Sequence, residues 1–370
     1  MTSIAARVRT HGLFEPITLR SLEVPHRGWV AAMCQYSCDP VTAPGVPTDW
    51  HLVHLGQFAT GGAALIITEA AAVSHEGMIS PRDAGIYTRE QVDAWRRIND
   101  FVHEHGAVGT RTAVQLAHAG RKASTYWPFS GERNSVPESG GGWQTLGPTD
   151  EPFGDYAAPR AMTEEDIRKV ISDFAAAAVL AVEAGFDTME IHAAHGYLLH
   201  QFLTPLVNTR TDAWGGTEDA RFRLTLEVIR AVRRVIPESM PLLLRISATD
   251  WIEGGLDGAA SARFAKRAME HGVDFVDVSS GGAVPAAPIP VGPGYQVALA
   301  EEVGASGVPT GAVGLIDSAV QADEVIRTGQ ADVVLIARAA LRDPHWWMRA
   351  AHELGHELVP APQYERSGAF

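Results

Sequence analysis

The sequence predicts an α/β protein built as a single (β/α)8 barrel. Three observations carry that prediction. Eight short apolar runs recur along the 370 residues. Helical patterns separate them. The runs are apolar throughout rather than alternating, as expected of parallel strands covered on both faces. Such units repeated along one chain fit a closed barrel. A doubly wound open sheet would place a glycine-rich dinucleotide loop after an early strand, and this sequence has none.

In order, the expected strands are Trp29–Met33, Ala63–Glu69, Val108–Gln115, Thr188–His192, Leu242–Ser247, Phe275–Ser279, Val308–Gly311 and Val333–Ile336. Five helices are expected between them. One runs from Thr88 to His105 and stops at Gly106. A second runs from Thr163 to Ala184, opens on Thr-Glu-Glu-Asp and stops at Gly185, which gives it an N-cap, acids in its first turn and a C-terminal glycine. The others run from Arg221 to Ile236, from Ser261 to His271, and from Asp317, read as a cap, to Arg327. Two segments exceed a minimal barrel. Residues 124–160 form a long loop after the third strand, rich in Gly, Pro, Trp and Ser; residues 352–370 form a C-terminal extension. The whole of 1–370 reads as one domain.

Composition narrows the function. Thirty basic against 44 acidic side chains leave a net charge of −14, which disfavours nucleic acid and anionic membrane surfaces. Two cysteines cannot form a disulfide framework, a four-cysteine zinc site or an iron–sulfur cluster. No apolar run reaches the roughly 18 residues that span a bilayer, and no basic-then-apolar leader opens the chain. The expectation is a cytoplasmic protein.

In a barrel enzyme, chemistry sits at the C-terminal ends of the strands. The fourth strand ends in His192-Ala193-Ala194-His195-Gly196-Tyr197. Two neutral imidazoles can donate to one oxygen, polarise a carbonyl and stabilise charge growing on it. Tyr197 offers a phenol proton for a carbanion. A structural histidine pair, or two zinc ligands completed by His118 or Glu69, are the competing readings. The first strand ends in Met33-Cys34-Gln35-Tyr36, a thiol and a phenol entering the same mouth, unless Cys34 is simply a small buried hydrophobe. Gln115 ends the third strand with a donor and an acceptor suited to a heterocycle edge, and Lys122 follows it. Arg245 lies inside an apolar strand, where a guanidinium requires an anion: a buried acid, or a ligand that becomes anionic. The last two strands supply Gly314, Ala337 and Arg338, and the loops there commonly bind phosphate.

Taken together these stretches resemble the Old Yellow Enzyme family of flavin-dependent ene-reductases, most closely its bacterial thermophilic-like subclass. Leu13-Phe14-Glu15-Pro16, Met33-Cys34-Gln35-Tyr36 and Asp49-Trp50-His51 match. So do Gln115 to Lys122, His192 to Tyr197, Asn208 to Gly216, Arg338, and Gln363-Tyr364-Glu365-Arg366. The resemblance implies a TIM barrel with non-covalent FMN, reduced by NADPH, that passes a hydride to the β-carbon of an α,β-unsaturated carbonyl compound. It implies that His192 and His195 bind the substrate oxygen, that Tyr197 protonates the α-carbon, and that Tyr36 and Lys122 lie near the substrate. Cys34 would tune the flavin; Ala31, Ala32, Met33 and Ala70 would pack on its ring; Gln115 and Arg245 would meet its pyrimidine edge; Gly314, Ala337 and Arg338 would hold its phosphate. No metal is implied. Arg366 would enter a neighbouring subunit's site in a homodimer or homotetramer.

The sequence departs from the family pattern at three places. Ala31-Ala32 precede Met33 where Ser-Pro or Pro-Pro is usual, Ala337 stands where Gly usually precedes the arginine, and His26 replaces an Asn. The 124–160 loop, with Tyr126, Trp127, Phe129 and Trp143, is expected to cap the site. Two other functions remain to be weighed: a flavin-dependent amine oxidase or demethylase on the same barrel, and a flavin-binding protein without turnover. Paired histidine donors disfavour the first.

Overall fold

The computed structural model describes residues 11–367. Its centre is a closed barrel of eight parallel strands: β1 (Gly28–Val30), β2 (Leu65–Ala72), β3 (Arg111–Ala117), β4 (Thr188–Ala193), β5 (Leu242–Ser247), β6 (Phe275–Ser279), β7 (Thr310–Ala312) and β8 (Val333–Ile336). Closure is made where β8 pairs with β1, with Leu335 opposite Trp29. All eight expected strands are present: Leu242–Ser247, Phe275–Ser279 and Val333–Ile336 keep their expected bounds, and the other five differ by one to three residues at an end. The first ends at Val30, whose pairing with Ile336 is closed by Ala31 N–H donating to Ile336 O (3.0 Å), the last bond of that ladder. The third begins at Arg111, because Val108 and Gly109 adopt positive φ and make a turn.

The interior is layered. At the N-terminal end, Trp29, Leu65, Ile67, Ala113, Leu243, Phe275 and Leu335 fill the barrel, with Trp29 and Phe275 ring centroids 4.8 Å apart. A hairpin, Ile17–Leu19 against Leu22–Val24, plugs that end with Ile17, Leu19 and Val24. Gly311 is required by this packing: a Cβ there would lie 2.5 Å from Leu335 Cδ1 and 2.7 Å from Phe275 Cζ. With one end plugged, only the C-terminal mouth is left for a ligand.

The helices are α1 (Asp49–Thr60), α2 (Arg89–His105), α3 (Glu164–Glu183), α4 (Leu198–Leu203), α5 (Glu218–Arg233), α6 (Gly258–Glu270), α7 (Val297–Gly304), α8 (Ala319–Arg327), α9 (Arg338–Arg342) and α10 (Trp346–Glu353). Thr163 caps α3 as the sequence predicts, and Thr88, where the sequence begins α2, caps that helix too. Asp317 does not cap α8: Ser318 does, and Asp317 pairs instead with Arg342 at 2.6 Å. Helix α1 escapes the sequence reading because His51, not Glu or Gln, closes its capping box on Thr48. Among the described residues no helix is long and apolar enough to cross a membrane.

Of the aromatics in the 124–160 loop, Trp143 reaches the barrel mouth, where it packs with Cys34, Tyr36 and Tyr197 on Ala70, Ile79 and Ala117. Trp127 instead lies under the Arg82 guanidinium, 4.7 Å from its ring centroid, and Phe129 is exposed. Phe153, from the same loop, covers Lys122 with its ring centroid 4.5 Å from Nζ.

Candidate active site

Strand register builds the site. Gln115 on β3 lies opposite Glu190 on β4; His192, two residues further on the same face, lies opposite Arg245 on β5; Arg245 lies opposite Asp277 on β6. Polar side chains thus converge inside an otherwise apolar barrel. Arg245 Nε is 2.8 Å from Asp277 Oδ2, and both are buried. Arg245 therefore has a buried acid beside it, as one of its two sequence readings expects, and it also lines a cleft. Gln115 Nε2 donates to Glu190 Oε1 at 2.7 Å. Burial first, and Asp277 second, push the Glu190 carboxyl up to about 8.

Past β4 the chain turns sharply through His195 (φ 57°) and Gly196 (φ 71°). Glycine is required at the second position, since a Cβ would fall 1.9 Å from Gly282 O. Side chains from several elements satisfy this turn's backbone. Ser247 Oγ accepts from His195 N (2.9 Å), Lys122 Nζ donates to His195 O (2.7 Å), and Gln201 Nε2 donates to Gly196 O (2.8 Å). Lys122 is thus directed at the main chain, and its Nζ lies 4.9 Å from the Tyr197 ring centroid. Burial, then Arg121, lowers its ammonium to about 8.

The turn gathers three rings. His192 lies 5.2 Å from His195 and 5.2 Å from Tyr197, centroid to centroid, both edge-on. Burial, reinforced by Arg245, holds both imidazoles well below their usual range, so they are neutral donors. Burial also lifts the Tyr197 phenol well above its usual range, so it keeps its proton. Among the described residues His192 Nδ1 has no hydrogen-bond partner, whereas His195 Nε2 lies 2.7 Å from Ser279 Oγ. Beside these rings, Tyr36 (φ 51°) and Cys34 pack on Ala70. Burial raises both the Cys34 thiol and the Tyr36 phenol.

A cleft of about 160 Å³ continues from Arg245 to the ends of β7 and β8, lined by Ser279, Gln296, Gly314, Ala337 and Arg338 among others. Ala31, Ala32 and Met33 leave β1 at the same end of the barrel, with Ala32 and Ala337 packed against the interior layer. Arg366 lies apart from this cleft's lining, in an exposed turn, Pro362–Ser367. Sequence reasoning missed Glu190, Asp277, Ser247, Ser279 and Gln296. The first two carried the same signal as Arg245, a charge inside an apolar strand. The serines and Gln296 carried none, because only register and loop closure bring them in.

The family model for the NADH:flavin oxidoreductase / NADH oxidase family matches residues 12–357. A curated NADPH dehydrogenase of Geobacillus sp. (strain WCH70) is 44% identical over 97% of this chain and 99% of its own. The structure of morphinone reductase in complex with tetrahydroNAD superposes with a TM-score of 0.77 at 27% identity, covering 96% of this chain and 94% of that one. An Old Yellow Enzyme homologue from Zymomonas mobilis superposes with a TM-score of 0.75 at 25% identity, covering 95% and 94%.

Proposed function

The chain belongs to the NADH:flavin oxidoreductase / NADH oxidase family, and from that premise we propose that it is an FMN-dependent ene-reductase that uses NADPH to saturate the C=C bond of α,β-unsaturated carbonyl compounds. The donor set suits FMN. Arg338, with the Gly314 and Ala337 backbone, would take the phosphate; Arg245 and Gln115 would meet the pyrimidine edge; Ala31 to Cys34 and Ala70 would flank the ring. Arg245 would then face the negative charge of the reduced ring from a site where Asp277 fixes its position. When bound, FMN supplies the hydride chemistry, accepting from NADPH and donating to the β-carbon.

The chain's own residues handle the oxygen and the proton. His192 and His195, neutral and 5.2 Å apart, donate to the carbonyl oxygen and stabilise the charge that gathers there. Tyr197, edge-on to His192, delivers its phenolic proton to the α-carbon. Ala70, Ala117 and Trp143 exclude water from the mouth. The balance is alkene, NADPH and a proton to alkane and NADP⁺. The observation that carries the reading is this trio of rings, two kept neutral and one kept protonated by burial, at a mouth that also presents a cationic cleft. We propose further, from the resemblance of Gln363-Tyr364-Glu365-Arg366 to the subclass tail, a homo-oligomer in which Arg366, exposed on its turn, reaches a neighbour's site.

The deciding experiment is an anaerobic titration. The purified protein is expected to be yellow, to bleach with NADPH and to regain its colour with cyclohexenone. A colourless protein that takes up no FMN, or a flavin reoxidised by oxygen but not by the enone, overturns the proposal.

A further inference from the structure

From the geometry behind the turn we infer that His200 is a positioning residue, backed by Asp250, which fixes the conformation of His195-Gly196-Tyr197 and so aims the oxygen-binding and proton-donating side chains. The inference rests on the roles proposed above for His195 and Tyr197. Gly196 N donates to His200 Nδ1 at 2.8 Å. That bond leaves Nδ1 without a proton and places the ring proton on Nε2, which lies 3.1 Å from Asp250 Oδ1. Both side chains are wholly buried. Asp250 is itself tied down: its Oδ2 accepts from Thr204 Oγ1 (2.6 Å) and from Leu256 N (2.8 Å), which joins the loop after β5 to α4.

The need for this device follows from the identity of the helix cap. Tyr197 is the N-cap of α4, and its side chain makes no capping hydrogen bond. An N-cap is ordinarily Ser, Thr, Asp or Asn, whose side chain would stabilise the entry to the helix. Here the cap position carries a phenol turned toward the barrel mouth, so stabilisation must come from elsewhere. The first helical N–H, that of Leu198, donates to His118 O (2.9 Å), and the turn before the cap is held by His200 on the Gly196 N–H and by Gln201 on the Gly196 carbonyl, two consecutive residues of α4 holding the two polar groups of one glycine. Both residues of the turn stand at positive φ, which for His195 is a strained conformation that persists only where surrounding bonds determine it. Without the acceptor at His200, a buried N–H is orphaned at the point where the turn is most easily undone.

The test compares His200→Leu, which removes the acceptor, with His200→Asn, whose Oδ1 can replace Nδ1 toward Gly196. Three readouts are taken on the FMN-loaded protein: hydrogen exchange of the backbone spanning His195–Leu198, binding of 4-hydroxybenzaldehyde followed by its charge-transfer absorbance, and the rate of flavin reoxidation by cyclohexenone. His200→Leu is expected to keep its FMN, to exchange faster in the turn, and to lose about tenfold in both ligand affinity and reoxidation rate, the scale set by one orphaned buried donor. His200→Asn is expected to stay within about threefold of the unmodified protein, since the donor keeps a partner. Unchanged exchange in His200→Leu, equal impairment of the two variants, or loss of FMN along with ligand affinity overturns the positioning role. If the unmodified protein binds no phenol, the oxygen-site reading fails, while the exchange comparison still decides whether His200 holds the turn.

Discussion

Removing one member of the Arg245–Asp277 pair tests the claim that charge inside this barrel is tolerated only as a matched set. The two groups are 2.8 Å apart, with Asp277 fully buried and the Arg245 side chain 8% exposed. An isolated charge in such a place has no solvent to screen it, and breaking a buried pair typically costs about 3–5 kcal/mol. That is a loss of about two to three and a half powers of ten in the folded-to-unfolded ratio. Asp277→Leu is expected to lose stability toward the lower end of this scale, because the guanidinium then keeps only Glu190 as a counter-charge: losing Asp277 eases the ionisation of Glu190, while burial, the larger cause, still opposes it. The double variant Arg245→Met/Asp277→Leu is expected to recover most of that loss, since two apolar side chains of similar volume can replace a buried pair at little cost. Urea unfolding of the FMN-free proteins, followed by tryptophan fluorescence, reads folding without the cofactor's contribution. If the double variant is as unstable as Asp277→Leu alone, or Asp277→Leu unfolds like the unmodified protein, Arg245 is not a desolvated cation and its assignment to an anionic ligand loses its physical basis.

Three further outcomes are expected. Arg338→Ala removes a charge-assisted contact and should weaken FMN retention by about ten- to a hundredfold, seen as free flavin fluorescence after dialysis; full retention would place the phosphate elsewhere. Tyr197→Phe should slow enone-driven flavin reoxidation by about 10²–10⁴-fold in stopped flow while NADPH still bleaches the flavin, and the reverse pattern would remove the phenol from the proton-donor role. Glu190 binds its proton up to about pH 8 in the folded state, above its unfolded value, so folding holds a proton that the unfolded chain releases. Its contribution to stability is therefore full below its unfolded pKa and declines as pH rises to about 8, by at most about 1.4 kcal/mol per unit. Glu190→Gln keeps a partner for Gln115 and should flatten that slope in unfolding curves taken from pH 5 to 8.

The barrel was legible because its strands are apolar on both faces and its longer helices announce their ends. Thr88 with Gly106, and Thr163 with Gly185, punctuate α2 and α3 in sequence as they do in space. The short helices were not legible. Val297–Gly304 spans about two turns, and Leu198–Leu203 is buried on every face, so neither shows a polar side against which a period could be read. The candidate site divides along the same line. His192, His195, Tyr197, Cys34, Tyr36 and Gln115 sit within a few residues of strand ends, where proximity in sequence predicts a shared mouth. Ser247, Ser279 and Gln296 are ordinary polar residues whose placement follows from the barrel closing around them.

What the sequence alone could not supply is the division of labour among the polar groups at the mouth. Lys122 looked free to meet a substrate, yet its Nζ is bound to His195 O and lies against the Tyr197 ring. The reason is that a turn with two consecutive positive-φ residues leaves its peptide groups pointing away from any regular ladder, and each must then find a side chain. Lys122, Ser247, His200 and Gln201 do this from the loop after β3, from β5 and from α4. The side chains proposed for catalysis therefore depend on partners from several strand ends at once. A change at any of them is expected to move His195 and Tyr197 together, so substrate affinity and proton delivery should fall in parallel across such variants, whereas Arg338→Ala, remote from the turn, should affect cofactor retention alone.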